Sequence, residues 1–335
     1  MRVDDLTTPA LVVDADRLDR NLATMSERLP GSRLRPHVKA HKCTSLARRQ
    51  AELGNQGFTC ATIREVEGMA EAGLGTDLLL ANEVVDARRL GAVADLTGAR
   101  ITVAVDSAET VAAAADGGVR EVLIDVAVGL PRCGCRPADA GPLAELARSR
   151  GLEVRGVMGY EGHVTVIGDR AERAAAVESA MAKLVDAHAA VGGNVISGGA
   201  TVSWDLNTWV TELQAGSYAL MDTTFAPMTP EFAPALNVLA TVISVSPKWA
   251  VCDAGLKSLG MDHGNPTLAG GRGEVLLVSD EHVVFTPGDG PPPRVGDRVR
   301  LVPAHIDPTV AYHEQMHVER DGEVLETWAV DLRGW

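Results

Sequence analysis

Between residues 34 and 220 the chain alternates eight times between a short β-type run and an amphipathic segment rich in Ala, Glu and Arg. Repeated βα units of this kind demand parallel strands with helical crossovers packed against them. Strands are expected at 34–40, 57–61, 77–81, 101–105, 121–128, 153–159, 194–198 and 212–218. The segments between them, such as 64–72 and 170–191, carry apolar residues at three-to-four spacing and a charged opposite face, as surface helices do. Eight such units favour a closed (β/α)8 barrel of the TIM type over an open doubly wound sheet.

After residue 228 the helical period disappears and Pro and Gly become frequent. Strands are expected at 237–246, 248–253, 273–278, 282–286, 298–302 and within 312–330, with Asp321-Gly322 supplying the positive φ angles of a type I′ hairpin. A run at 9–13 reads as one more strand, followed by Asp14 as the cap of a helix toward Arg28. The chain therefore divides into a barrel over 15–228 and a β-rich domain over 229–335, joined by the N-terminal strand within 1–14.

With 335 residues, 46% of them hydrophobic, one or two well-cored domains are expected. A formal charge of −14 argues against nucleic acid or an anionic membrane as partner, so the expected partner is a small molecule met by local basic groups. No apolar run approaches the ~20 residues of a membrane span, and no secretory leader pattern opens the chain. Five cysteines, odd in number and without metal-knuckle spacing, suit reduced thiols in a cytoplasmic protein. Cys133-Gly-Cys135 could be redox-active, but two incidental cysteines are the simpler reading.

The run Arg35-Pro-His-Val-Lys-Ala-His-Lys42 is the strongest local candidate for chemistry. If it is a strand, Arg35, His37, Lys39 and His41 share one face, and mutual repulsion would leave some Lys39 as free amine able to attack a carbonyl. A basic surface strand is the bland alternative. The chain holds only five lysines among 31 basic residues, so two of them beside two histidines stand out. Barrel enzymes often hold a phosphate after strands seven and eight. Here those positions carry Ser197-Gly198-Gly199-Ala200-Thr201 and Ala215-Gly216-Ser217-Tyr218, whose glycines admit backbone N–H groups and whose hydroxyls add donors. A reactive lysine with a phosphate cradle suggests pyridoxal phosphate.

The octapeptide at 35–42, with His305-Ile-Asp-Pro-Thr309 near the end, resembles the D-threonine aldolase and D-serine dehydratase family, closest to the aldolases. These are fold-type III pyridoxal phosphate enzymes, alanine racemase-like in pairing a barrel with a β domain. The resemblance implies that Lys39 carries the cofactor, and that Ser197, Gly198, Thr201, Gly216, Ser217 and Tyr218 hold its phosphate. Gly129-Leu-Pro-Arg132-Cys-Gly134 is similar to the family's Gly-x-x-Arg-x-Gly, which gives Arg132 a place near the cofactor's phenolic oxygen. Tyr160 and His163, in Gly-Tyr-Glu-Gly-His, are implied as a ring contact and a base.

On a strand, His305 and Asp307 would project to one face, where they could form a hydrogen-bonded pair or converge on an ion. The resemblance implies the ion. The dehydratase branch has His-x-Cys there, suited to zinc; Asp307 makes an O/N set that fits Mn²⁺ or Mg²⁺, with Zn²⁺ still allowed. A zinc-protease pattern, His313-Glu-Gln-Met-His317, needs a helix to bring its histidines together, yet it runs into the 320–323 hairpin and is expected on a strand.

The expected activity is a metal-dependent aldolase that cleaves D-β-hydroxy-α-amino acids to glycine and an aldehyde. Its rivals are a metal-dependent dehydratase for D-serine, D-threonine or 3-hydroxyaspartate, an amino-acid racemase, and a non-catalytic pyridoxal phosphate carrier. Related folds pair across the active site, so a homodimer is expected.

Overall fold

The structure is a computed structural model, described over residues 1–271, 273–288 and 291–335. Internal contacts divide it into two units. One comprises Met1–Thr24, Ala40–Ser45 and Ser217–Asp331; the other comprises Met25–Lys39, Leu46–Gly216 and Leu332–Trp335.

The second unit is built on a parallel sheet whose strands follow one another in chain order: Phe58–Cys60, Leu78–Leu80, Ile101–Val105, Glu121–Asp125, Glu153–Gly159, Val195–Gly198 and Glu212–Leu213. The stretch 34–37 closes it. Leu34 bridges to Leu213 on one edge and His37 to Thr59 on the other, with Arg35 N–H donating to Leu213 O and His37 N–H to Ala215 O, both at 2.9 Å. The expected (β/α)8 barrel is therefore present, its first stave held by single bridges instead of a regular strand. Leu79, Ala104, Leu123 and Met158 fill its interior from successive strands, each at most 3% exposed, which makes it a packed core and not a pore. Helices Ile63–Glu71, Ala87–Ala94, Ala108–Asp116, Ala140–Ser149 and Arg170–Val191 form crossovers. Their starts follow the sequence: Thr62, Asp86, Ser107 and Asp169 each accept hydrogen bonds from first-turn amides.

The first unit is a mixed sheet. Strand Ala10–Asp14 lies between Leu236–Val245, antiparallel to it, and Gln315–Arg320, parallel to it. The N-terminal strand thus pairs within the sheet of this unit, and Asp14 Oδ1 accepts the Arg17 amide at 2.9 Å to start helix Ala15–Arg28. Gln315–Arg320 turns into Glu323–Ala329 through Asp321 and Gly322, at φ 52° and 77°, the expected hairpin. Arg298–Val302 pairs with Leu236–Val245.

Three expected strands end early. The run at 34–40 gives way to a 3-10 turn, Val38–Ala40; 121–128 stops at Asp125; and 212–218 shrinks to Glu212–Leu213. In each case the chain leaves the sheet at its C-terminal edge, where βα loops begin, and β-type composition continues past the last ladder bond. Among the described residues, no helix is long and apolar enough to cross a membrane.

Candidate active site

Lys39 lies in the Val38–Ala40 turn directly after the first stave, half-buried, its backbone N–H directed at His37 Nδ1 at 3.5 Å. That turn overturns the single basic face expected at 35–41. Arg35 is drawn into ion pairs with Asp77 at 3.1 Å and Glu212 at 2.8 Å and is 4% exposed. His41 is fully buried beyond the turn, its Nδ1 accepting the Cys43 N–H at 3.2 Å. A four-cation cluster is therefore not what this fold offers Lys39. Its position at the C-terminal end of a barrel stave is where barrel enzymes keep their reacting groups.

The loops after the next strands bring several of the expected residues together. Arg132 places its guanidinium 5.1 Å from the centroid of the Tyr160 ring, a cation–π contact between the loop after Glu121–Asp125 and the end of Glu153–Gly159. His163 lies in the 3-10 helix Gly162–Val166. Its ring packs on Gly129 so closely that a Cβ there would collide with it, which gives that glycine of the Gly-x-x-Arg-x-Gly run a physical reason. His163 Nδ1 is buried without a hydrogen-bond partner.

Carboxyl groups that the sequence reading passed over gather at this end of the barrel. Burial, then the charge of Glu83 and a hydrogen bond to it, raise the Asp125 carboxyl well above its ordinary range, with Arg132 opposing. A hydrogen bond to Glu83 and burial push the Cys133 thiol up to about 12; burial and Asp125 do the same to Cys135. Thiols that keep their protons are poor nucleophiles, which supports the incidental reading of this pair.

Of the two glycine turns, Ser197-Gly198-Gly199-Ala200-Thr201 is the more tightly built. Ser197 is buried, and its hydroxyl accepts from the Gln214 amide at 2.9 Å. Gly199 has φ +89°, a left-handed conformation that favours glycine. Thr201 is 3% exposed and opens the 3-10 helix Thr201–Ser203. In the second turn Gly216 and Ser217 are half-buried, with Ser217 O accepting the Met221 N–H at 2.7 Å. Tyr218 is entirely buried, its ring edge-on to Phe232 at 5.8 Å.

His305 is not on a strand. It precedes the short helix Ile306–Tyr312, which Pro308 enters within its first turn, where a missing N–H costs nothing. His305 Nε2 still comes within 3.9 Å of Asp307 Oδ1. Asp262 and His263 join them from a Gly/Pro-rich loop. His305 Nδ1 is 2.7 Å from Asp262 Oδ2, His263 Nε2 is 3.8 Å from the same oxygen, and one ligand atom from each of Asp262, His263 and His305 lies within 4.8 Å of the others. The two imidazoles stack in parallel planes 4.0 Å apart, with Phe225 edge-on to both. Burial and then the His305 charge lower the His263 pKa, which favours the neutral imidazole a metal takes. Burial opposes ionisation of Asp262, but the His305 hydrogen bond and charge outweigh it and hold that carboxyl below its ordinary value. Two imidazoles with adjacent carboxylates fit a divalent ion. Spacing could not have found this set, since its members lie 42 residues apart and meet only through the fold. In the His313-Glu-Gln-Met-His317 run, His317 lies on the strand Gln315–Arg320 and His313 Nε2 is 2.9 Å from Ser258 O, so the protease geometry is absent.

Over its full length the chain is 36% identical to D-threonine aldolase of Arthrobacter sp, covering 94% of that protein. It belongs to the D-threonine aldolase and D-serine dehydratase family. The family model "Alanine racemase, N-terminal domain" matches residues 13–223, and "Putative serine dehydratase domain" matches residues 235–319. D-threo-3-hydroxyaspartate dehydratase of Delftia sp. (strain HT23) is 30% identical over 98% of each chain. The crystal structure of D-threonine aldolase from Filomicrobium marinum superposes with a TM-score of 0.92 at 34% identity, over 99% of this chain and 97% of that one. As a member of this D-threonine aldolase and D-serine dehydratase family, the protein is a pyridoxal phosphate-dependent lyase. Its barrel fits that cofactor: a half-buried lysine ends the first stave, a buried imidazole nitrogen lacks a partner, and a glycine turn with a left-handed residue follows Val195–Gly198.

Proposed function

We propose that the protein cleaves the Cα–Cβ bond of D-β-hydroxy-α-amino acids, releasing glycine and an aldehyde, with a divalent metal, Mn²⁺ before Mg²⁺ or Zn²⁺, at His305. The observation that carries this reading is the donor set at His305, in which Asp262, His263 and Asp307 contribute oxygen and nitrogen and no thiol takes part. A mixed imidazole and carboxylate set suits manganese better than it suits magnesium, which prefers oxygen.

Pyridoxal phosphate supplies an electron sink for negative charge at the substrate's α-carbon, and the metal supplies Lewis acidity at its β-hydroxyl. The remaining work falls to side chains. Lys39 would hold the cofactor through its side-chain amine at the end of the first stave. Arg132, over the Tyr160 ring, would supply positive charge for the cofactor's phenolic oxygen. The turn at Ser197, Gly198 and Thr201, with Gly216, Ser217 and Tyr218, provides the phosphate donors. His163 would serve as the base that takes the β-hydroxyl proton. His305 and Asp307 would hold the metal, with Asp262 at the other nitrogen of the His305 ring and His263 stacked on it.

A dehydratase is the second reading, favoured by the 30% identity to the Delftia enzyme. Incubation with D-threonine separates the two. The expected products are glycine and acetaldehyde, with turnover lost on chelation and restored by Mn²⁺. Formation of 2-oxobutyrate and ammonia would overturn the aldolase reading, and undiminished turnover after chelation would overturn the metal's part in it.

A further inference from the structure

Glu161 sits between the proposed ring contact Tyr160 and the base His163, yet neither role uses it. Its side chain is fully buried and reaches the loop that follows the next strand. Three donors converge on its two oxygens. The Gly199 N–H reaches Oε2 at 3.1 Å, while the Ser203 hydroxyl at 2.8 Å and the Asn207 amide at 3.0 Å reach Oε1. Ser203 and Asn207 are at most 2% exposed. The Ser203 hydroxyl also accepts the Ala200 N–H at 3.0 Å. Two successive amides of the glycine turn are therefore committed, one to Glu161 directly and one through a hydroxyl that Glu161 holds.

A carboxylate only accepts, so it meets three donors without conflict; a carboxamide would turn N–H groups toward at least one of them. Gly199 is held at φ +89°, and a Cβ there would lie 2.8 Å from Leu213 Cδ1. A fully buried carboxylate is costly to retain for stability alone, since an apolar core of equal volume serves as well. One partner, Gly199, belongs to the turn that the proposed function gives to the phosphate, and another, the Ser203 hydroxyl, is bonded to the Ala200 amide of the same turn.

We propose that Glu161 is a positioning residue for the phosphate end of the cofactor, fixing the Gly198–Thr201 turn in the shape that presents its remaining donors. The inference rests on the reading of that turn as the phosphate site. Both Glu161 oxygens are committed to Gly199, Ser203 and Asn207, so its effect is confined to the phosphate's share of binding.

Titrating the cofactor-free full-length chain with pyridoxal phosphate and with pyridoxal, which lacks only the phosphate, isolates that share as the ratio of the two dissociation constants. In Glu161→Gln the ratio, taken as the constant for pyridoxal over that for pyridoxal phosphate, falls roughly ten- to a hundredfold, the scale of one or two hydrogen bonds to a charged group, while pyridoxal binds as before. Ser203→Ala shifts the ratio in the same direction by less, and decides the matter if Glu161→Gln does not fold. Equal weakening of both ligands would mean a general structural role and overturn the proposal, as would an unchanged ratio or tighter binding of pyridoxal phosphate. Thr201→Val tests the underlying reading separately. If it leaves the ratio unchanged, the turn is not the phosphate site; if it lowers the ratio and Glu161→Gln does not, only the role of Glu161 fails.

Discussion

The two ends of the barrel both bury charge, and they do so in opposite ways. At the ends where strands begin, Arg35 pairs with Asp77 and Glu212, Arg155 with Asp77 at 3.0 Å and Glu121 at 3.5 Å, and Arg100 with Glu121 at 2.9 Å. Three guanidinium groups meet three carboxylates. Where strands end, Glu83 and Asp106 both raise the Asp125 carboxyl, and Arg132 opposes them. The first arrangement resolves every charge and holds the barrel's staves in register. The second favours the protonated forms of the Asp125 carboxyl and the Cys133 and Cys135 thiols, a state of use to chemistry and of little to folding.

Removing one carboxylate from the balanced end gives the largest expected effect. Asp77→Asn leaves Arg35 and Arg155 facing one lost partner each, at a side chain 19% exposed, and costs about 3 kcal/mol of unfolding free energy, the lower part of the range for a broken buried pair. Despite its burial, Asp77 is held below its ordinary 3.8 by Arg155 and Arg35. Its contribution is therefore complete above that value and fades as pH falls through the lowered one. Denaturant titrations across pH should show a flatter acid limb in the variant, with turnover per folded molecule unchanged. Equal acid limbs would remove Asp77 from the network.

At the other end the expected loss is catalytic. Arg132→Met forfeits a contact to Tyr160 at the surface, worth less than about 1 kcal/mol to stability, but turnover should fall about 10²-fold or more if the guanidinium faces the cofactor. The measurement is kcat beside the thermal midpoint. An intact kcat would erase the functional half of the contrast.

The sequence made one side of this contrast far easier to read than the other. Strands 101–105, 153–159 and 298–302 and the helix 170–191 agree residue for residue with expectation, because period-2 and period-3.6 patterns are local. Arg35 misled for the same reason: alternation placed it beside Lys39, while Asp77 and Glu212, the residues that decide its surroundings, lie 42 and 177 positions away. His305 and Asp307 were found through the family likeness and assigned to a strand, although Pro308 was already a signal for a helix start. Asp262 and His263 left no readable mark, because an Asp-His step beside Gly264 becomes a ligand pair only when the loop folds back toward His305. Glu161 was passed over because its partners come from the next loop, which no spacing rule connects to it.

The smallest expected effect bears most directly on the comparison, because it concerns the sign of a pH dependence. Burial and Glu83 raise the Asp125 carboxyl well above 3.8, so ionising it costs the folded state. Stability on its account is complete below its ordinary value and declines as pH rises through the raised one. Asp125→Asn keeps a neutral group with N–H donors for Glu83 and removes that decline. The variant should match the parent in acid and equal or exceed it by up to about 1 kcal/mol in mild alkali. Asp77→Asn departs from the parent in the opposite sense, losing stability as pH rises from acid toward neutrality. Two Asp→Asn changes on one barrel, differing in end alone, should therefore produce stability differences of opposite sign. If both destabilise at neutral pH, the strand-ending carboxyls are structural after all, and the distinction between a resolved end and a poised end collapses.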